Sequence, residues 1–361
     1  MLARELSLDI LEGNWGRKAS NPAAIAPYNW SDIFCGEANP FWVLAAIELR
    51  LLNTIMKYFL CLTAVCCVLF VTRQGWAGTE VKKESAPVAT TEKTEEAVPL
   101  DFFQINSGFV FESDLNHGGS FGKQSELQNE FEYGHRIRLT GNFYLHLGVV
   151  YDRYDFGSTA APVPNHLQSM AGVIGIDVMH GTEVGAFLQL HPGFYTQSDI
   201  GISSFDVPIT LGRIFVVQEK KFYVFGGAYA SFLRGGSPVL PLAGVIWIPS
   251  DNVRLLGLLP TPRLIYSATK KIDLWVGGEL VGGAFRTDRN DNIQPAKLNG
   301  TTVNFSDYRA AVGFVYTMSD SFKVNLDAGC SIQRQFDFGR AGETYRTDPS
   351  PYVRLQLSAQ F

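Results

Sequence analysis

The chain has 361 residues, 18% of them charged and 13% aromatic, with a formal net charge of −5. Disordered chains are charge-rich and aromatic-poor, so this composition excludes one; the acidic balance argues against a nucleic-acid partner, which calls for a basic patch. A helical membrane protein is also excluded, because the single apolar run near the roughly 18-residue spanning threshold lies close to residue 60.

That run reads as a processing signal. Lys57 supplies a positive start, Tyr58 to Val71 form a 14-residue apolar stretch, and Gly75-Trp76-Ala77 places small residues before a cleavage point. The pattern predicts a signal peptide over 56–77, with Met56 as the true start and 1–55 as a mis-assigned upstream extension. Four of the five cysteines (Cys35, Cys61, Cys66 and Cys67) precede residue 78. Only Cys330 remains beyond it, which leaves no disulfide framework and no zinc site. Residues 79–99 hold five Glu, three Lys and no aromatic residue, so a solvated linker is expected over 78–99.

From Leu100 onward apolar residues alternate with polar or small ones, the pattern of a half-buried strand. Fourteen candidate strands fall near 102–113, 124–139, 142–156, 167–178, 182–195, 205–217, 222–232, 240–248, 253–259, 263–269, 271–285, 304–317, 322–337 and 351–361. Their connections alternate long and short: 114–123 is long and 140–141 tight, 286–303 is long and 318–320 tight, and 338–350 is long again. Pro260-Thr261-Pro262 breaks the rule, being short where a long loop belongs; either a strand is miscounted there or the rim dips. Lipid offers no hydrogen-bond partner to an open sheet edge. The fold class predicted for 100–361 is therefore all-β, a single antiparallel transmembrane β-barrel of about 12–14 strands. Aromatic residues near strand ends, including Phe102, Tyr151, Tyr154, Tyr223, Trp247, Tyr266, Phe285, Tyr316 and Tyr352, are expected in its interfacial girdles. The chain ends on Phe361, with Val353, Leu355 and Leu357 at alternate positions before it and Tyr352 at the strand's start. This resembles the C-terminal signal read by the outer-membrane assembly machinery.

Three further stretches, Pro241 to Ser250, Leu258 to Tyr266 and Trp275-Val276-Gly277-Gly278-Glu279, together with Asp307-Tyr308-Arg309 and Ser331 to Phe336, resemble a family of uncharacterised bacterial outer-membrane β-barrel proteins. The resemblance covers roughly 101–361. It implies a single barrel in the outer membrane and no established substrate or activity.

Alternation places Asp273, Glu279, Arg309, Lys323, Asp327, Arg354 and Gln356 on the lumen side, with His146, Asp152, Glu183, Gln189 and Asn325. Two interpretations stay open: a pore whose charged wall sets selectivity, or an interior plugged by charges that satisfy one another. Barrels of 12–14 strands lie between the filled eight-stranded and the open 16–18-stranded sizes. The six His lie between His117 and His191 with no H-x-H or H-x-x-x-H pair, so no metal site is expected. The 287–292 loop lacks the Gly and distal Glu of a calcium loop. No G-x-S-x-G elbow occurs, and no enzyme activity and no cofactor are expected. The expected partners are outer-membrane lipid and the assembly machinery, with no nucleic acid. The leading functional expectation is a passive pore or uptake channel for small polar solutes of unknown identity; the alternatives are a closed structural or surface-interaction barrel and, third, a lipid-active enzyme.

Phe361 ends the apolar row of the last strand and Gln360 lies on the opposite row. Phe361→Ser is expected to lower the amount of barrel inserted in the outer membrane more than Gln360→Ser does, measured by immunoblot of membrane fractions.

Overall fold

The computed structural model describes residues 98–361 apart from 181–182, 236–237 and 292. The upstream extension, the signal peptide and almost all of the linker lie outside the described residues.

The described chain is nearly all strand: β1 (Asp101–Asn116), β2 (Ser120–Thr140), β3 (Phe143–Phe156), β4 (His166–His180), β5 (Glu183–Leu190), β6 (Gly193–Thr196), β7 (Phe205–Asp206), β8 (Ile209–Gln218), β9 (Phe222–Ala230), β10 (Val239–Ser250), β11 (Val253–Leu258), β12 (Arg263–Ser267), β13 (Ile272–Arg286), β14 (Thr302–Ser319), β15 (Phe322–Phe338), β16 (Glu343–Thr347) and β17 (Ser350–Gln360). Two 3-10 turns, Ile202–Ser204 and Ala296–Leu298, lie in loops. Three pairs of segments, β5 with β6, β7 with β8 and β16 with β17, are halves of one wall strand, each interrupted beside a proline: Pro192, Pro208 and Pro349. Proline has no N–H for the ladder, so pairing pauses there and resumes. Joining the halves leaves fourteen wall strands. The antiparallel sheet closes where β1 meets β17, in a register running from Phe102↔Gln360 to Val110↔Tyr352. The seam is fastened at its end by Leu100 N–H and Asp101 N–H donating to the Phe361 carbonyl, at 2.8 and 3.1 Å, and by Phe361 N–H donating to the Asp101 carbonyl at 2.9 Å.

Two expected loops contract. The first long loop shrinks to 117–119 because β1 and β2 run on as a hairpin, with bulges near Val110 and Asp114. The 338–350 connection is mostly strand, since β16 pairs with β15 from Gln335↔Arg346 to Phe338↔Glu343. Both stretches are polar on their outer face, which hides a strand from an apolar-alternation test. The dip at Pro260-Thr261-Pro262 is real: β11 and β12 are six and five residues long, against twenty-one in β2.

Those short strands give the barrel two tiers. Near the turns all fourteen strands form the wall. Toward the loops, β6 meets β13 directly, parallel, at Arg286↔Thr196, and Gln197 N–H donates to the Arg286 carbonyl at 2.9 Å. Asp288 Oδ1 accepts from Ser198 N–H and Asp199 N–H at 3.0 and 2.9 Å and locks the junction. With β16 paired to β1 at Leu115↔Thr347, the upper tier is a ring of β1–β4, β6 and β13–β16. Nine strands are close to the number whose interior side chains fill. Accordingly Tyr154 and Phe156 of β3 reach across to the opposite wall: the Tyr154 and Phe305 rings lie 5.1 Å apart, and those of Phe156 and Phe336 4.9 Å. Phe285, Phe338 and Tyr345 join this core, and Leu233 and Leu298 enter it from loops. Lys297 (2.6 Å) and His117 (2.8 Å) clasp Glu343 above it; the hydrogen bond from the Lys297 ammonium holds the Glu343 carboxyl below the usual range.

Outward rows are apolar at mid-height. Leu326 and Ile332 of β15 are more than half exposed, and Cys330 shares their row. The girdle expectation is corrected in part: Phe102, Tyr154, Tyr223, Phe285 and Tyr352 are buried inside, because they occupy the inner phase of their strands, whereas Trp247 and Tyr266 are outside and exposed.

Phe305 lies at the centre of the ring cluster. Phe305→Ala is expected to cost about 3–5 kcal/mol, read as a lower temperature of heat-modified migration on gels and faster proteolysis of the loops.

Candidate functional site

Below the aromatic tier the inner rows carry charge. The bonding runs in two joined clusters. In the first, Arg309 of β14 donates through Nε to Asp307, through Nη1 to Gln128 Oε1 at 2.6 Å, and through Nη2 to Glu126 Oε1 at 3.1 Å. Glu126 and Gln128 belong to β2, so this side chain bridges strands that the wall separates by β15, β17 and β1. Ser331 Oγ donates to Asp307. Arg334 donates through Nη2 to Ser113 Oγ at 3.0 Å and to the Gln124 carbonyl, and its Nη1 lies 3.8 Å from Glu126. Glu130 accepts from Asn106 at 2.7 Å and from Gln128 at 2.6 Å.

In the second cluster Arg354 of β17 contacts Glu279 of β13 and donates to Asp327 Oδ2 of β15 at 3.0 Å. Asn325 links Asp327 to Gln356, and Gln356 donates to Gln104 at 2.9 Å. Trp275 Nε1 donates to Asn325 at 3.1 Å while the Arg263 guanidinium lies 4.2 Å from the centre of its ring. Trp275 can lie flat against the wall because residue 313 is glycine: a Cβ there would fall 2.1 Å from the indole. Tyr352 joins the clusters, its ring under the Arg309 guanidinium at 5.0 Å. The two clusters hold four arginines, Arg263, Arg309, Arg334 and Arg354, and five carboxylates, Glu126, Glu130, Glu279, Asp307 and Asp327. Nearer the turns, Asp177 takes Arg136 Nε at 2.8 Å and His146 Nδ1 at 3.3 Å.

The opposite wall is different. Tyr223, Phe225, Leu242, Ile246, Leu256 and Ile265 of β9–β12 form an apolar cluster that meets the charged layer at Trp275 and Tyr352. The interior thus has one ionic side and one apolar side.

Of the residues singled out from the sequence, Glu279, Asp327 and Arg354 come together, and Arg309 sits in the adjoining cluster. Gln356 belongs to the amide chain beside them. Asp273 is apart, paired with Arg254 at 2.9 Å. Lys323 occupies the same row of β15 as Asn325 and Asp327. The Glu183 side chain lies outside the description. Sequence reasoning missed Glu126, Gln128 and Glu130, although they recur at period two, because polar Asn129 and His135 on the outer row of β2 blur the alternation. Arg334 was missed for another reason. A bulge between Tyr308↔Gln333 and Arg309↔Ser331 shifts the phase of β15, so the row of Lys323, Asn325 and Asp327, which by strict alternation continues to Gln333, passes instead to Arg334, which is buried.

A closed antiparallel sheet, apolar outside and charged within, is the architecture of a transmembrane β-barrel. No protein-family model and no curated protein matches the sequence. Among solved structures the chain is similar to an outer membrane channel from Pseudomonas putida F1 (11% identity, 76% of this chain and 100% of that one, TM-score 0.40). It is also similar to the toluene transporter TodX of Pseudomonas putida (9% identity, 73% and 90% covered, TM-score 0.32). A third is the transport unit of the autotransporter AIDA-I from Escherichia coli (11% identity, 76% and 93% covered, TM-score 0.28). At such identities and scores, function has to be read from this chain's own residues.

Arg354→Met leaves Glu279 and Asp327 without their shared cation. Breaking a buried pair by removing one partner costs about 3–5 kcal/mol, so the heat-modification temperature is expected to fall, and Arg354→Met combined with Asp327→Asn is expected to recover part of the loss.

Proposed function

We propose that the protein is an outer-membrane channel for small polar solutes, with its loop end shut by the aromatic tier. The apolar outer face, the predicted signal peptide and the C-terminal strand pattern support the location. The charged layer carries the functional side of the proposal. A barrel needed only as a scaffold gains little from buried ion pairs, whose desolvation cost rivals their attraction. The layer is also incompletely satisfied: Arg354 Nη2, Arg334 Nε and Nη1, and Arg263 Nε are buried without a hydrogen-bond acceptor. Each such donor costs about 1–3 kcal/mol in a dry interior, so the layer favours water or a polar solute beside it. The ionic side then binds and orders the solute, and its mixed charge sets selectivity.

The aromatic tier favours the second interpretation, a permanently closed barrel, because Tyr154, Phe156, Phe305 and Phe336 meet across the ring. One pair of variants separates the two. In planar bilayers the wild-type protein is expected to open rarely, and Phe156→Ala combined with Phe305→Ala to raise the open probability. Arg354→Glu in that background is expected to shift the reversal potential toward cation selectivity. Silence from every variant, with folding verified on gels, selects the closed barrel.

A further inference from the structure

The wall facing lipid is uneven. On β14 five outward residues, Tyr308, Ala310, Val312, Phe314 and Tyr316, alternate along nine positions; at about 3.3 Å per residue and a tilt near 40° they rise about 23 Å, matching the roughly 25 Å apolar belt of a transmembrane barrel. β11 and β12 have six and five residues, and by the same arithmetic rise only about 13–15 Å. Their outward side chains are Val253, Leu255, Leu264 and Tyr266. Beside them the membrane-facing wall falls short by about 10 Å.

The loops above this low wall carry side chains that a water-facing loop does not need. Ile202 is 96% exposed, Phe232 77%, Ile200 65% and Leu259 63%. They are held there. The 3-10 turn carrying Ile202 packs on β6 and β13. The Asp206 carboxylate accepts from Ser231 Oγ at 2.6 Å and from Phe232 N–H and Leu233 N–H at 3.2 Å each. Alternation then sends Leu233 into the aromatic core and Phe232 outward. The Leu259 loop is pinned to β13 by Gly278 N–H and Leu280 N–H, which donate to Pro262 and Pro260 carbonyls at 2.9 and 3.1 Å. On the strands that carry these loops, Val239 at the top of β10, paired with Ala230, and Leu264 on β12, paired with Leu255, are exposed as well.

We propose that this shoulder is seated in the outer leaflet, where Ile200, Ile202, Phe232 and Leu259 contact lipid acyl chains and complete the apolar belt over β11 and β12. A rigid, exposed apolar patch adjoining a lipid-facing wall is explained by the solvent that wall already has. The alternative for a short wall is local bilayer thinning, and in that case the shoulder side chains stand in water. The proposal rests on the barrel spanning a membrane.

Site-directed spin labelling tests both layers of it. Single cysteines are placed by Ile202→Cys and Phe232→Cys in the full chain with its five native cysteines replaced by alanine, and the protein is reconstituted in dimyristoyl phosphatidylcholine vesicles. Leu326→Cys is the lipid-facing reference and Gly119→Cys the water reference. Oxygen and a water-soluble nickel chelate compete as relaxants. The expected result is that labels at 202 and 232 favour oxygen, as the label at 326 does. Labels at 202 and 232 that behave like the one at 119, with 326 in lipid, overturn the shoulder proposal alone. A label at 326 that reads as water overturns the membrane reading and the shoulder with it.

Discussion

A sheet in lipid has nowhere to leave an unpaired N–H, and the rest of this structure follows from meeting that requirement. The first strand must find the last, which is why Asp101 and Phe361 are tied by mutual backbone bonds and why β1 and β17 share one face phase across the seam. Proline interrupts three wall strands, yet β4 spans the break between β5 and β6, β15 spans the one between β16 and β17, and on either side of the third break β7 pairs with β6 and β8 with β5. Closure is preserved even where the wall drops: β6 reaches β13 above the short strands, so the upper tier is a smaller ring rather than a torn edge.

The change in circumference decides what each tier can hold. The nine-strand ring brings opposite walls within reach of aromatic side chains, and phenylalanines fill it. The fourteen-strand tier is wider, and there long side chains span the gaps: Arg309 and Arg334 reach β2, and Arg354 reaches β13. Guanidinium groups suit that task, since their planar forks bind two carboxylates or amides at once. The interior pairs an ionic side with an apolar one, because β9–β12, Arg254 and Arg263 apart, contribute aliphatic and aromatic residues to the inner phase where the other strands contribute charge.

Much of this was legible along the chain. Alternation in the last two strands placed Lys323, Asp327 and Arg354 on the lumen side with no knowledge of the fold, because a strand's period of two allows only two faces. Long and short connections gave an even-stranded barrel of the right size. The same method failed where the period is broken or masked. The bulge in β15 hid Arg334, polar residues on both faces of β2 hid Glu126 and Glu130, and the polar outer faces beyond the apolar belt made β16 look like loop.

The sequence by itself determined the class of fold, the strand count to within two, and which face most side chains take, since all of these depend on local periodicity and on the impossibility of an open edge in lipid. Only the tertiary structure decided which charges meet. Glu126 and Arg309 are separated by 183 positions in the chain, and their contact depends on the curvature of the wall and the register at the seam. The tertiary structure also decided that the wall narrows to nine strands and carries an apolar shoulder over β11 and β12. Those features arise from where β6 and β13 come together, a pairing between distant strands that no local pattern encodes.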